Sequence, residues 1–305
     1  MPPHRTHGVP RYLPGRLASV NLADVAPSVS WILSVPGHLV PRIPDQLQRS
    51  IVFIYSSLEA AKTGAKAGGT GFLVSKTLAA GSRRTYLVTN AHVAQSADRV
   101  ARLTGADGTS EFVPIASSEW VNHRDGDDIA ACDVSTTRHP KVDALCWADF
   151  AVSLPRMAEL NVGVGDDVFM LGRFISHGGI QQNQALARFG NIAMMPGEAV
   201  LDGRELRVEA FLVEMRSLSG FSGSPVFLYI GPGSYRGNGT MMPLYSETIG
   251  LMGIDTGHKA FTAPVRSRDA GLEEQQYEVE MNTGVAIVSP AWKIAELLDD
   301  VGDRS

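Results

Sequence analysis

The chain has 305 residues, is 44% hydrophobic and carries a formal net charge of −5. It is long enough to bury a sizeable core in one or two domains. The acidic balance gives no reason to expect nucleic acid or an anionic membrane as the principal partner. Glycine supplies 31 residues, above the usual ~7%, as many tight turns between strands require. Cys132 and Cys146 are too few for a disulfide framework. The sequence leaves open whether they pair, and two buried thiols in a reducing compartment are the preferred reading. No run reaches ~18 apolar residues, so no transmembrane helix is expected. The opening MPPHRTHGVPRYLPG has no apolar h-region of a secretory signal. These features together suggest a soluble, cytoplasmic protein.

In chain order, residues 1–46 stand apart. Eight of the 17 prolines lie in residues 1–50, which also hold five arginines and two acids. An irregular or partly disordered extension is expected there. From Ile51 the pattern turns to β. Ile51–Tyr55 reads as a buried strand, 59–66 as a polar loop, and 72–74 and 86–89 as strands of a hairpin. Further strands are expected at 99–104, 111–115 and 129–134. Residues 135–161 read as a connection, with one helical turn at 157–160. A second β set covers 168–172, 185–192, 206–215, 226–230, 248–254 and 285–288, interrupted by polar surface loops at 231–239 and 266–280. Short strands at this spacing point to a barrel or sandwich. The chain closes with a helix, Ser289 as N-cap and Pro290 at its first position, with Ile294, Leu297 and Leu298 on one face.

Three stretches carry chemistry. Gly220-Phe221-Ser222-Gly223-Ser224-Pro225 holds a serine between glycines on a tight bend, as a nucleophile and its oxyanion donors require. Alone it is an ordinary turn. Upstream stand Thr89-Asn90-Ala91-His92 and Asp128-Ile129-Ala130, with Thr70-Gly71-Phe72-Leu73-Val74 before them. In this order, histidine then aspartate then serine, the set resembles the trypsin-like (chymotrypsin-fold) serine peptidases. The likeness is greatest to bacterial trypsin-like peptidase domains similar to the HtrA proteases, over residues 47–298. No PDZ-like segment follows before Ser305.

The resemblance implies an all-β fold of two antiparallel six-stranded β-barrels with a C-terminal helix. The first barrel would span 47–150 and bear His92 and Asp128; the second, 151–305, would bear Ser222. It implies serine endopeptidase activity on a protein or peptide substrate through an acyl-enzyme, with no cofactor. Ser222 would be nucleophile, His92 general base and then acid, and Asp128 the carboxylate that orients the imidazole. Asp127 competes with Asp128 for that role; the match before Ile-Ala favours Asp128 and leaves Asp127 a solvated loop charge. The N–H groups of Gly220 and Ser222 would form the oxyanion hole.

Three positions depart from the pattern or qualify it. Phe221 stands where digestive relatives carry an aspartate, which removes their zymogen activation route. Arg216 stands where trypsin-like digestive enzymes place the charged base of the S1 pocket. Pointing inward it would favour acidic P1 residues; turned away it is a surface charge. Thr256 and His258, after the strand ending at Ile254, are candidate pocket residues or ordinary polar strand-end residues. No metal site is indicated, since neither H-E-x-x-H nor C-x-x-C occurs. The alternative from another class is a trypsin-fold binding module that is non-catalytic or activated by a partner.

Overall fold

The computed structural model describes residues 42–303, except 66, 79–80, 95–97, 106, 136–141, 175–176, 219, 238, 244–245 and 266–276. The extension expected over 1–46 lies almost wholly outside the described residues. The described chain belongs to one unit, from Gly37 to Ser305.

A short helix α1 (Asp45–Arg49) leads into β1 (Ile51–Tyr55), whose five residues are all buried. β-branched and aromatic residues on both faces suit a strand covered on both sides. Next comes α2 (Leu58–Thr63), where the sequence suggested a loop. Ser57 accepts the Ala60 N–H at 3.1 Å, and Gly64 closes the helix at φ +72°. The two caps stabilise six residues, Leu-Glu-Ala-Ala-Lys-Thr, too few to display a helical period.

The first sheet continues with β2 (Ala67–Thr77), β3 (Arg83–Thr89) and, after the one-turn helix α3 (Ala91–Ala94), β4 (Arg99–Thr104) and β5 (Ser110–Ile115). β6 (Val121–Asn122), β7 (Ala130–Asp133) and β8 (Leu145–Cys146) complete it. The order is β5-β4-β1-β2-β3-β7-β6, with β8 parallel to β2. Among the described residues this is a half-barrel rather than a closed six-stranded ring.

Two short helices, α4 (Trp147–Phe150) and α5 (Leu154–Glu159), cross to the second half. There β9 (Asp167–Gly172) and β10 (Leu186–Met194) precede a small ribbon of β11 (Val200–Leu201) and β12 (Arg207–Val208). β13 (Phe211–Glu214), β14 (Pro225–Ile230), β15 (Thr248–Val265) and β16 (Tyr277–Pro290) follow. Six strands close into a barrel in the order β10-β13-β16-β15-β14-β9. The all-β chymotrypsin-like architecture is thus as expected.

β15 and β16 are much longer than their apolar cores suggested. They stay paired out to Val265 and Tyr277, so 277–280 is strand, not loop. The rest of the expected loop lies outside the described residues. Glu278, Val279, Glu280 and Met281 are all exposed. A ribbon beyond the core has no buried face to impose alternation, which hid it from the pattern.

The last helix, α6 (Ala291–Asp303), starts after Pro290, which ends β16 instead of opening the helix. Ile294, Leu297, Leu298 and Val301 join a buried cluster that also holds Phe53, Phe72, Phe169, Phe227 and Ile254. One core therefore runs through both sheets and the terminal helix. No described helix is long and apolar enough to cross a membrane. Neither Cys132 nor Cys146 is in a disulfide.

Arg102 of β4 is fully buried. Its guanidinium donates to Asn183 Oδ1 at 2.8 Å and to the carbonyls of Gly178 (2.8 Å), Gly179 (2.9 Å) and Ala61 (3.2 Å). It also lies over the Phe53 and Tyr55 rings, 5.6 and 5.2 Å from their centroids. Burial lowers its pKa from the usual range. The side chain thus pins the 178–183 segment of the second half to the first sheet. Arg102→Leu is expected to cost at least about 3 kcal/mol in urea unfolding, because several buried acceptors lose their donor at once. A loss under about 1 kcal/mol would contradict this role.

Candidate active site

Strand β3 delivers its end, Thr89-Asn90, to the mouth of the first sheet, and α3 turns His92 outward. Asn90 is the hinge. Its carbonyl accepts the N–H groups of Val93 and Ala94, at 3.1 and 3.0 Å, which closes the helical turn. Its side-chain amide donates to the Asp128 carbonyl at 2.8 Å. The loop after β6 is closed by the His123 N–H on the Ile129 carbonyl at 3.0 Å. Both sides are therefore fixed by backbone before the two side chains meet.

They meet closely. His92 Nδ1 is 2.6 Å from Asp128 Oδ2, and the His92 backbone N–H donates to Asp128 Oδ1 at 3.0 Å. The Asp128 side chain is 5% exposed and that of His92 is 48% exposed. A buried carboxylate accepting from Nδ1–H fixes the tautomer and leaves Nε2 as the acceptor facing the open side.

The Ser222 turn approaches the same place from the second barrel. The Thr70 N–H donates to the Ser222 carbonyl at 2.9 Å, and Thr70 Oγ1 donates to the Gly220 carbonyl at 2.6 Å. Thr89 Oγ1, three residues before His92, donates to the Thr70 carbonyl at 2.6 Å. A Cβ on Gly223 would lie 2.0 Å from the Thr70 carbonyl oxygen and 2.5 Å from Thr89 Oγ1, and its φ is +88°. Only glycine fits there. Gly69 shows the same convergence: a Cβ would meet Val93 at 2.7 Å and the Ser222 carbonyl at 3.0 Å. The turn is thus held against the element that bears His92. No hydrogen bond joins Ser222 Oγ to His92 among the described residues.

The turn is internally ordered. The Phe221 N–H donates to Leu218 O at 3.0 Å, the Gly223 N–H to Asp255 O at 2.9 Å and the Ser224 N–H to Phe221 O at 2.8 Å. Gly220 has φ +98°. Among the described residues no hydrogen bond is made by the N–H groups of Gly220 and Ser222. Phe221 is fully buried in the second barrel's core. The Arg188 guanidinium lies 5.1 Å from its ring centroid. Phe221 is thus an apolar anchor beside Ser222.

The remaining candidates lie at the edges. Arg216 is exposed, while its neighbour Ser217 points inward. Thr256 sits at a bulge in β15 and donates to the Ile287 carbonyl at 3.1 Å. His258 is half-buried and pairs with Ala286. Asp127 is not a solvated charge. It is 8% exposed, 3.1 Å from His123 and 3.4 Å from Lys293. The chain bends at Asp128, where the Ile129 N–H donates to the Asp127 carbonyl at 2.7 Å, and Asp128 reaches His92 while Asp127 reaches Lys293 of the terminal helix.

Sequence reasoning missed Asp255 and its partner Ser217. Asp255 is fully buried in the middle of β15, at the bulge before Gly257, and Ser217 Oγ donates to its Oδ2 at 2.7 Å. Its Oδ1 has no hydrogen-bond partner. Burial pushes the carboxyl up to about 7. Hydrogen bonds from Ser217 and Gly257 and the attraction of His92 pull the other way. The one available signal was a carboxylate closing the apolar run Ile249–Ile254.

Residues 69–231 match the family model described as "Trypsin-like peptidase domain". The chain belongs to this family of peptidase domains. Among solved structures it is similar to the apo protease domain of MamO from Magnetospirillum magneticum, at 15% identity over 82% of this chain and 96% of that one, TM-score 0.45. It is also similar to Rv3671c from M. tuberculosis H37Rv in an inactive form (16% identity, 85% and 89% coverage, TM-score 0.43). The HtrA-type protease AlgW with a decapeptide gives 12% identity, 85% and 66% coverage and a TM-score of 0.49. No curated protein sequence matches the chain.

The Asp255 carboxyl sets a pH dependence. Its unfolded pKa is near 3.8 and its folded value about 7. The folded state therefore holds the proton more tightly, and stability falls as pH rises from about 4 to 7, then levels. Asp255→Asn keeps an acceptor for Ser217 and removes the titration. Between pH 5 and pH 7, urea unfolding of wild type should lose roughly 2–3 kcal/mol more than that of the variant. His123 also titrates upward of its ordinary value, chiefly through Asp127, and contributes to both proteins alike. Equal pH slopes in the two proteins would refute a buried titrating Asp255.

Proposed function

We propose that the protein is a serine endopeptidase acting through Ser222, His92 and Asp128. The observation that carries this reading is the His92–Asp128 pair. The buried carboxylate accepts from Nδ1 at 2.6 Å and from the backbone N–H of the same residue at 3.0 Å, while the other edge of the ring faces the side from which substrate arrives. The Ser222 turn, tied to Thr70 beside this pair, supports the serine as nucleophile.

In this reading Ser222 Oγ attacks the scissile carbonyl carbon and His92 Nε2 takes the hydroxyl proton. Asp128 does not accept that proton; it stabilises the imidazolium and keeps the ring aligned. The tetrahedral oxyanion lies against the N–H groups of Gly220 and Ser222, a donor of this kind being worth about 3–4 kcal/mol. Collapse expels the amine, which takes the proton from His92 and leaves an ester on Ser222. Water, deprotonated by His92, then attacks the ester, and the acid product leaves. The substrate class is a peptide or protein.

A fluorophosphonate probe tests the reading directly. Intact protein should be labelled at Ser222, and Ser222→Ala and His92→Ala should take up none. Asp128→Asn should retain its fold and lose roughly 10⁴-fold in kcat on a peptide substrate, since the imidazole tautomer is then wrong. Folded wild type that takes up no probe would sink the peptidase reading and favour a peptidase fold used for binding alone.

A further inference from the structure

The seam between the loop 122–128 and helix α6 gathers groups that the peptidase reading does not use. His123 is at its centre, with a fully buried side chain. Its Nδ1 lies 3.1 Å from Asp127 Oδ2, and its Nε2 lies 3.3 Å from Glu296 Oε2 of α6. Despite that distance, Nε2 makes no hydrogen bond: the carboxylate oxygen lies off the axis along which the ring nitrogen points. Asp125 adds a third donor. Ligand atoms of His123, Asp125 and Glu296 all lie within 4.8 Å of one another.

We propose that His123, Asp125 and Glu296 form a binding site for a first-row divalent cation, zinc in the first instance, that fastens helix α6 to the loop bearing Asp127 and Asp128. Four features of the seam support it. Two donors on one tetrahedral zinc, each at about 2.0–2.1 Å, sit roughly 3.4 Å apart and point at the metal rather than at each other. The His123–Glu296 pair has that separation and that misalignment.

The second feature is Asp127. A ligating imidazole almost always gives its other N–H to a carboxylate, which fixes the ring and raises its basicity. Asp127 lies on that side of the ring, its Oδ2 3.1 Å from Nδ1, where the Asp125 N–H also approaches at 3.4 Å. Lys293 then serves this outer carboxylate, at 3.4 Å, and stands farther from Asp125, at 4.0 Å.

Charge supplies the third. The seam holds the carboxylates of Asp125, Asp127 and Glu296 against the single ammonium of Lys293. With the imidazole neutral, as ligation demands, a dication balances the group. Access supplies the fourth. The side chains of Asp125 and Glu296 are 61% and 35% exposed, so the site has an entry path and room for water as the remaining ligand. The mixed imidazole–carboxylate set suits zinc, manganese or cobalt better than the all-oxygen sets that calcium and magnesium take.

The site is independent of the triad, and its test needs no turnover. Full-length protein, stripped with chelator, is dialysed against micromolar Zn²⁺ and analysed for bound metal, with thermal unfolding in parallel. Expected are one equivalent of zinc and a rise in Tm on loading. His123→Gln and Glu296→Gln should each weaken binding at least about tenfold, while the exposed control Asp299→Asn should bind as wild type. The Glu296 side chain is 35% exposed, so Glu296→Gln reports on binding even if His123→Gln folds poorly. Wild type that retains no zinc, or zinc held equally well by Glu296→Gln, overturns the proposal. So does a site that takes Ca²⁺ and not Zn²⁺.

Discussion

The structure depends on one threonine at the seam of the two sheets. Thr70 is fully buried and commits every polar group it has. Its N–H goes to the Ser222 carbonyl and its hydroxyl to the Gly220 carbonyl. The same hydroxyl accepts the Arg173 N–H at 2.9 Å, and its carbonyl accepts from Thr89. Buried polar groups must find partners, and here all of them come from the other barrel or from Thr89, at the end of β3 and three residues before His92. The relative placement of serine and histidine is therefore a consequence of backbone satisfaction. Glycine at 223 is the corollary, because the two backbones approach too closely for any side chain.

Around that hinge, each half supplies support of a different kind. The first sheet holds His92 by polar means: Asn90 grips the Asp128 backbone and the carboxylate grips the ring. The second barrel holds Ser222 by apolar means. Phe221, beside Ser222, is sunk in the barrel core and capped by Arg188, so the turn is anchored by burial worth about 1.5–3 kcal/mol for such a ring. Asp255 works against this economy, since a carboxyl with an unpartnered oxygen in a closed interior raises the cost of its own ionisation. Its backbone nevertheless binds both Gly223 and Ser224, which ties this buried residue to the turn that bears Ser222.

The pair Asp127-Asp128 shows how one short segment serves two tasks. Its residues reach different partners, one His92 and the other α6. The terminal helix is consequently coupled to the site through His123 and Lys293 as well as through the shared apolar core. Packing alone would place the helix; the charged seam fixes where the loop bearing Asp128 ends.

Much of this was legible in the chain itself. The buried strand Ile51–Tyr55 and the amphipathic last helix follow from residue type and spacing, because local pattern and burial agree there; His92, Asp128 and Ser222 were singled out by the resemblance of their motifs to a family. Helix α2 and the outer ribbon of β15 and β16 were not legible, because caps and pairing outside the core leave no periodic trace. Asp127 was misread as a surface charge, and the His123–Glu296 contact was invisible, since it joins positions far apart in sequence. What the sequence determined by itself was the set of chemical groups, their order and the β character of the chain. What only the tertiary structure decided was which carboxylates are buried, which backbone groups hold the serine's turn and which face each charge turns to. Burial and hydrogen-bond satisfaction are properties of distant segments brought together, and no local stretch encodes its own neighbours.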